Sequence, residues 1–389
     1  MNRFLRDITI GAALMITGIS AINAQDGNDY GDLSGQTNII NTAVPFIGIV
    51  PDSRGGAMGN TGVASSPDVN SLYWNPAKFS FITSDSEVAI SYTPWLRKLV
   101  NDINLYYITG YKRIDDLQVV AASIRYFTLG EITYNTGYDQ NGFTVKPNEF
   151  AIDLAYSRLL TEKLSGSVAF RYIRSDLNAM QEDMEPGNSF AADIAFYYRG
   201  KTELLGTPSQ ISAGINVSNI GSKISYDKVN KQYIPTNLGL GFSLDTELDS
   251  YNKLNVNLDF NKLLVPTPLV SAKTDSPDDY QSKYSNMSVP KAMFKSFSDA
   301  PGGMEEELQE INIALGLEYW YVDQFAVRAG YFHEHERKGN RKLFTAGVGL
   351  KFNMMTLDAS YIIPVVQNNP LANTVRFTLG FDLSQLSKK

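Results

Sequence analysis

The chain contains no cysteine, and it has only two histidines among its 389 residues. The absence of cysteine excludes a disulfide framework, thiolate metal sites, a cysteine nucleophile and lipidation of an N-terminal cysteine. An excess of positive charge is also missing, since 34 Lys and Arg stand against 41 Asp and Glu. Proteins that bind a phosphate backbone usually have a basic balance, so we expect no nucleic-acid partner.

Long apolar runs are scarce as well. Residues 8–22 form one such stretch, which follows Arg3 and Arg6 and is followed by Ala24. The stretch is too short to span a bilayer comfortably and has the flanks of a secretory signal peptide, which we assign to residues 1–24. Aromatic residues make up 12% of the chain and the mean hydropathy is −0.19. These values argue against both a bundle of transmembrane helices and a disordered chain.

From about residue 86 onwards, apolar and polar residues alternate with a period of two, which indicates β-strands. Phe150, Ile152, Leu154 and Tyr156, for example, lie on one face of a strand and Asp153 on the other. The pattern predicts 14 strands, at about residues 86–93, 101–111, 117–127, 148–158, 164–174, 188–199, 209–219, 236–245, 252–262, 310–320, 323–333, 342–352, 354–363 and 372–383.

Strand lengths and loop lengths identify the class of β-protein. Most predicted strands have 10–12 residues, whereas soluble sandwiches favour about five or six and a tilted membrane crossing needs about 9–11. Short and long connections also alternate, although the predicted link 200–208 is rather long for the short set. The sequence therefore predicts an all-β fold, a 14-stranded antiparallel transmembrane barrel in the outer membrane. Residues 85–389 would form this barrel, residues 25–84 a plug or hatch on its periplasmic side, and residues 263–309 a long extracellular loop.

The alternation also assigns the two faces of the barrel. We expect the apolar face to meet lipid, with tyrosines near the interfaces at Tyr107, Tyr111, Tyr126, Tyr156, Tyr172 and Tyr198. The polar face would point inward; its members are Asp102, Asn104, Arg125, Asp153, Arg171, Asp193, Asn257, Asp259, Glu318, Arg328, Lys351, Asp358 and Arg376. Because both charge signs occur, these residues would form a structural network, with an ion-selective channel lining as the alternative.

Residues 44–78 carry a glycine-rich motif followed by Asn-Ser-Leu-Tyr-Trp-Asn-Pro-Ala. Its members are Pro51, Asp52, Arg54, Gly56, Met58, Gly59, Gly62, Trp74, Asn75 and Pro76. This motif resembles that of the PorV (LptO) family, outer-membrane proteins of the Bacteroidota type IX secretion system, whose relatives are the FadL-like barrels. A departure is the C-terminus, where eight residues ending in Lys389 follow the last aromatic residue, Phe381.

The resemblance implies a carrier without enzymatic activity. Such proteins collect the C-terminal signal domain of secreted cargo, receive it from the SprA (Sov) translocon, and pass it to the PorU sortase and attachment complex. The alternative is a FadL-type transporter of a hydrophobic small molecule. No cofactor or metal is implied.

Three further features are candidates for function. The loop 263–309 contains apolar residues that would anchor cargo, and within it residues 291–297 and 304–309 are candidates for short helices; the anchors are Leu269, Tyr284, Met287, Met293, Phe294, Phe297 and Met304. A basic cluster would contact lipopolysaccharide or an acidic partner; it comprises Arg337, Lys338, Arg341 and Lys342. His333 and His335 are interpreted as solvated rim residues, the alternatives being a metal site or a lipid hydrolase.

Overall fold

The structure is a computed structural model that describes residues 37–134, 143–177, 185–204, 206–268, 286–366 and 369–385. The predicted signal peptide lies outside these residues, as do the predicted anchors Leu269 and Tyr284. No helix within the described ranges is long and apolar enough to cross a membrane.

Within the described residues, fourteen antiparallel strands close into one barrel, in which the first strand pairs with the last. This confirms the predicted fold class. The barrel strands are β1 (Ser86–Pro94), β2 (Asn104–Arg113), β3 (Gln118–Thr128), β6 (Asn148–Thr161), β7 (Leu164–Asp176), β8 (Gly187–Leu204), β9 (Thr207–Gly221), β10 (Asn237–Glu247), β11 (Asn252–Leu263), β12 (Asn312–Tyr321), β13 (Phe325–His333), β14 (Lys342–Phe352), β15 (Met355–Pro364) and β16 (Val375–Asp382). A separate hairpin of β4 (Ile132–Tyr134) and β5 (Phe143–Val145) lies in the loop between β3 and β6.

Short turns occupy one rim of the barrel and long loops the other. The described turns are residues 114–117, 162–163, 248–251, 322–324 and 353–354, and β8 and β9 are joined by a similarly short link. The predicted long link at 200–208 is wrong, because the pairing of β8 with β9 continues to Leu204 and Thr207. The end of β8 carries polar residues such as Lys201 and Glu203, so the apolar–polar alternation stops before the strand does. The rim with the short turns is the periplasmic one and the long loops form the outer rim.

Side chains alternate between the outside and the inside of the barrel along each strand. Tyr126 and Tyr198 are exposed on the outside, as predicted. Tyr107 and Tyr111, however, point inward and are only 1% and 4% exposed. Their prediction as lipid-facing residues is wrong, because the barrel interior near Tyr111 is itself apolar. Phe79, for example, packs on the Tyr111 ring at 5.2 Å between centroids. Asn104 consequently shares its face with the exposed Tyr106 rather than pointing inward.

Residues 45–84, which we call the luminal segment, lie inside the barrel. They form two short 3-10 helices, η1 (Pro45–Gly48) and η2 (Pro76–Phe81), and two short α-helices, α1 (Ser53–Ala57) and α2 (Ser71–Trp74). Helix α1 packs against β13, β14, β15 and β16, while η2 packs against β3, β6, β7 and β8 on another part of the wall. The segment therefore contacts separate parts of the inner wall.

Among the described residues, three more short helices lie outside the barrel wall. In the loop between β11 and β12 are α3 (Val289–Lys295) and α4 (Met304–Gln309), close to the two helix candidates of the sequence, and η3 (Leu383–Gln385) follows β16. We call residues 286–311 the outer cap. Residues 37–44, which precede the luminal segment, also lie at the outer rim, although the sequence predicts a segment that enters from the periplasmic side. Asn38 N, for example, donates to Arg337 O at 2.9 Å in the loop between β13 and β14.

Candidate functional site

The glycine-rich motif folds around the side chains of Asp52 and Trp74. Asp52 caps α1 by accepting a hydrogen bond from Gly55 N at 2.7 Å, and it also accepts one from Trp74 Nε1 at 2.8 Å. The indole of Trp74 lies so close to Gly55 and Gly62 that a Cβ atom at either position would be 2.4 or 2.1 Å from the ring. These glycines are therefore needed because Trp74 packs directly on the backbone.

Arg54 connects the luminal segment to the wall through a chain of buried ion pairs. Its Nε and Nη2 donate to the two carboxylate oxygens of Glu318 on β12, at 2.9 and 2.7 Å. Its Nη1 lies 2.9 Å from Asp68 within the segment. Glu318 also pairs with Arg328 on β13 at 2.7 Å, and Arg328 pairs with Asp358 on β15 at 2.6 Å. Loss of one partner from such a buried pair usually costs about 3–5 kcal/mol, so Arg54 and Glu318 fix α1 to this wall.

Asn75 and Asp259 hold the second half of the motif. Asn75, which is fully buried, caps η2 by accepting from Ala77 N and donates to Val63 O and Phe196 O at 3.1 and 3.0 Å. Asp259 Oδ2 on β11 accepts from the amides of Gly62 and Val63 at 2.7 and 2.9 Å. The Asn-Pro-Ala element thus begins a helix and, through Phe196 O, bonds to β8.

The remaining motif residues also pack inside the barrel. Pro51, Met58 and Pro76 are buried, and Gly56 faces Arg376, whose Nη1 would lie 2.8 Å from an added Cβ atom. Gly59 has a φ of 69° and approaches the backbone of Leu315 and Tyr331, so a side chain there would be both strained and blocked. The predicted motif residues therefore come together as one structural unit.

Inward-facing glycines of the wall complete this arrangement, and the sequence reading missed them. At four of these positions, a Cβ atom would lie 2.0 to 2.5 Å from an atom of the luminal segment; they are Gly214, Gly316, Gly330 and Gly347. At a fifth, Gly241, the distance would be 2.7 Å. The signal was present, because all five occupy inward positions of predicted strands. These glycines matter because the luminal segment packs directly on them, and the alternation of a strand does not reveal what packs on its inner face.

A second buried polar cluster lies closer to the outer rim. Arg171 on β7 pairs with Asp153 on β6 and with Asp193 on β8, the latter at 3.1 Å. Arg125 on β3 pairs with Asp153 at 3.4 Å and donates to Ile47 O of the luminal segment at 2.7 Å. These predicted inward charges are thus paired with one another, as expected for a structural network, whereas Asp259 and Arg376 bond to backbone atoms of the luminal segment.

The outer cap presents part of its apolar surface to water. Phe294 is 80% and Phe297 46% exposed, and Met304 is exposed as well. Met293 is half-buried, and Met287 packs against a buried group that includes Tyr233 and Ala292. Of the described anchor candidates, Phe294, Phe297 and Met304 are therefore available to a partner, while Met287 helps to hold the cap down.

Buried ion pairs fix the cap to the barrel. Lys262 Nζ at the end of β11 bonds to Glu307 and Glu310 at 2.9 and 2.6 Å. Lys338 Nζ bonds to Glu306 and Glu310 at 2.5 and 2.9 Å. All three acids belong to α4 or follow it directly, so two lysines from different elements hold this helix.

Asp299, between α3 and α4, lies beside this cluster and accepts a hydrogen bond from Thr267 N. Burial, together with the nearby carboxylate of Glu307, raises the pKa of Asp299 to about 7. The cap therefore carries, next to the ion pairs that hold it on the barrel, a carboxyl group with a pKa near neutral pH.

A protein-family model for the type IX secretion system protein PorV matches residues 33–270, which is more than half of the chain. The chain belongs to the PorV family. It is an outer-membrane β-barrel protein of the type IX secretion system. No curated protein matches the sequence.

Solved structures with FadL-like barrels also resemble the chain. The toluene transporter TodX of Pseudomonas putida is 9% identical with a TM-score of 0.47, and the match covers 89% of this chain and 98% of TodX. The toluene transporter TbuX of Ralstonia pickettii is 11% identical with a TM-score of 0.44 and coverages of 86% and 97%. A FadL homologue of Pseudomonas aeruginosa is 11% identical with a TM-score of 0.42 and coverages of 89% and 99%.

The basic cluster of this PorV-family chain does not form one exposed patch. Lys338 is buried among the acids of α4, and Arg341 pairs with Glu334 at 2.7 Å. Arg337 and Lys342 are half-exposed. The contact of this cluster with lipopolysaccharide or an acidic partner stays a prediction; Lys338 is the member that burial removes from the surface, since Arg341 is itself exposed.

His333 and His335 line a shallow cleft of about 240 Å³ at the outer rim. Its other walls include Glu305, Leu308 and Ile313. Among the residues that the structure describes, no group of three or more His, Asp or Glu side chains is arranged to hold a metal ion.

Proposed function

We propose that this PorV-family chain is a non-enzymatic carrier for secreted proteins. It would bind the C-terminal signal domain of cargo at the outer cap, receive that cargo from the SprA (Sov) translocon, and pass it to the PorU sortase and attachment complex. The observation that carries the proposal is the exposure of Phe294 and Phe297 on a cap that buried ion pairs hold in place.

Exposed aromatic side chains on a fixed support suit protein recognition. A few buried aromatic anchors usually contribute most of the affinity of an interface, and a support that is already ordered reduces the entropy lost on binding. The ion pairs of Lys262 and Lys338 provide that order for α4. Phe294, Phe297 and Met304 would then insert into apolar pockets of the signal domain.

The arrangement of the lumen supports a role at the outer surface. The alternative, a FadL-type transporter of a hydrophobic small molecule, needs an apolar passage through the barrel. Here the luminal segment bonds to the wall through the side chains of Arg54 and Asn75, and two of its backbone amides donate hydrogen bonds to Asp259. A passing apolar molecule would have to displace these contacts, so the carrier role fits the interior better.

The test replaces both aromatic anchors. Phe294→Ser combined with Phe297→Ser should weaken cargo association by about 2 kcal/mol or more in total, which is roughly a 30-fold rise in Kd. Val229→Ser is the matched control, because Val229 is 79% exposed in a different outer loop. Affinity would be measured with a purified cargo signal domain, and heat-modifiability on gels would show that each barrel is folded.

Undiminished cargo binding by the double variant would contradict the proposed site. The binding surface would then have to involve the loops at residues 129–147 or 177–186. Binding and uptake of a hydrophobic small molecule without any cargo binding would favour the transporter alternative.

A further inference from the structure

Residues 37–44 lie at the outer rim of the barrel and bond to three different long loops. Asn38 N donates to Arg337 O at 2.9 Å, in the loop between β13 and β14. The Asn38 side-chain amide donates to Glu306 Oε1 of α4 at 3.3 Å. Ala43 N donates to Tyr233 O at 2.9 Å, in the loop between β9 and β10. This part of the chain is therefore a strap across the outer loops.

From this strap, the chain runs through the barrel to the opposite rim. Phe46 stacks on Phe127 at 6.2 Å between centroids, close to the outer end of β3. Gly59 then reaches the wall at Gly330, well within β13. Phe79 packs on Tyr111 near the periplasmic end of β2, and β1 begins at Ser86 on the same rim. The path from residue 37 to residue 86 thus crosses the whole barrel.

We propose that the strap, residues 37–44, is displayed on the extracellular face of the outer membrane, so that the chain runs through the barrel from the outer side to the periplasmic rim. The luminal segment occupies the lumen beneath the strap. Its backbone packs directly on the backbone of the wall, because a Cβ atom at Gly316 or Gly330 would overlap with it. The strap is therefore accessible to proteins outside the cell, beside the outer cap. This inference does not depend on the carrier role.

Exposure at the strap agrees with this topology. Thr37, Ile39 and Asn41 are exposed, whereas the intervening Asn38 and Ile40 are half-buried. Ile39 and Ile40 border a cleft of about 250 Å³ that Lys338 and Glu310 also line. Alternate residues of the strap therefore face the outer loops, and the residues between them face water.

Because the chain has no cysteine, single cysteines can report the side of the membrane on which a residue lies. Thr37→Cys and Asn41→Cys probe the strap. Val229→Cys is the control for the outer side, and Ser250→Cys, in the short turn between β10 and β11, is the control for the periplasmic side; all four positions are exposed. Intact cells would be treated with a membrane-impermeant maleimide and compared with permeabilised cells.

We expect Thr37→Cys and Asn41→Cys to react in intact cells to the same extent as Val229→Cys, with no more than about a twofold increase after permeabilisation. Ser250→Cys should react only after permeabilisation. Reaction of both strap variants only in permeabilised cells, as at position 250, would overturn the inference, and so would a lack of reaction in both conditions. Heat-modifiability of each variant shows whether the labelled protein is folded.

Discussion

Gly330→Ala tests whether the luminal segment is packed against the wall as tightly as the structure indicates. Gly330 lies on β13 and faces inward. A Cβ atom at this position would be 2.0 Å from Gly59 N and 2.2 Å from the carbonyl carbon of Met58. Both neighbours are backbone atoms, so a change of rotamer cannot relieve the overlap. The luminal segment would have to move away from β13.

The size of the effect follows from the contacts that this movement breaks. Optimal carbon contacts lie at about 3.5–4.0 Å, so the backbone at Gly59 must retreat by roughly 1.5 Å. Gly59 N then loses its hydrogen bond to Thr345 Oγ1, which is 2.8 Å long, and the bond from Thr345 Oγ1 to Ala57 O, 2.7 Å, weakens with it. Overpacking of about 1–3 kcal/mol and about 1 kcal/mol for each hydrogen bond give a total of about 3–5 kcal/mol.

Conductance in planar bilayers is the direct assay, because a displaced luminal segment should open a path for ions through the barrel. The folded Gly330→Ala variant should conduct, while the wild-type protein should stay closed. Gly110→Ala is the matched control, since Gly110 faces outward and its Cβ atom would lie 3.0 Å from Val88 Cγ1 and 3.1 Å from Glu87 O, without contact with the luminal segment. A Gly330→Ala barrel with the closed conductance and the heat resistance of the control would refute the reasoning.

Two further changes test the polar contacts. Glu318→Gln removes the carboxylate shared by Arg54 and Arg328, so the luminal segment should lose about 3–5 kcal/mol of docking. Trypsin should then cleave after Arg54 in folded barrels. A cleavage rate equal to that of Glu247→Gln, at the exposed end of β10, would contradict this. Burial and the nearby Glu307 raise the pKa of Asp299 from its ordinary value of 3.8 to about 7, with Glu310 adding to the effect and Lys295 opposing it. Because the docked state holds the proton of Asp299 more tightly, the contribution of Asp299 to docking of the cap should be greatest below about pH 4, fall up to about pH 7 and stay constant above that. Hydrogen exchange in α3 and α4, corrected for its intrinsic pH dependence, should show this change between pH 5.5 and 8; Asp299→Asn should abolish it, and an equal response in both proteins would count against the assignment.

The sequence predicts the barrel well because the periodicity of a strand is a local property. Strands β6, β8 and β11 show their alternation without knowledge of their neighbours, and the strand count follows from it. The face assignment is less secure, since alternation shows which face is apolar but not what covers that face. Tyr111 illustrates the difference: its partner Phe79 comes from the luminal segment, so an apolar residue points inward.

The candidate site depends on contacts between residues that are far apart in the chain. Lys338 looks like a solvated cation in the sequence, but its partners Glu306 and Glu310 lie 32 and 28 residues away. The glycine motif could be recognised, whereas the reason for it lies in Trp74 and in the wall at Gly316 and Gly330. Likewise, the position of Asn38 at the outer rim is set by Arg337 O and Glu306. No local pattern carries such information.

The contacts that fill the barrel also favour the proposed role at the outer surface. Inside, Arg54, Glu318, Arg328 and Asp358 satisfy one another, so a molecule in transit would leave buried charges without partners, which is energetically costly. Outside, ion pairs hold α4 on the barrel, and Phe294 is exposed on the same cap. Paired charges inside the barrel disfavour passage through the lumen. Exposed aromatic side chains at the outer rim favour recognition there.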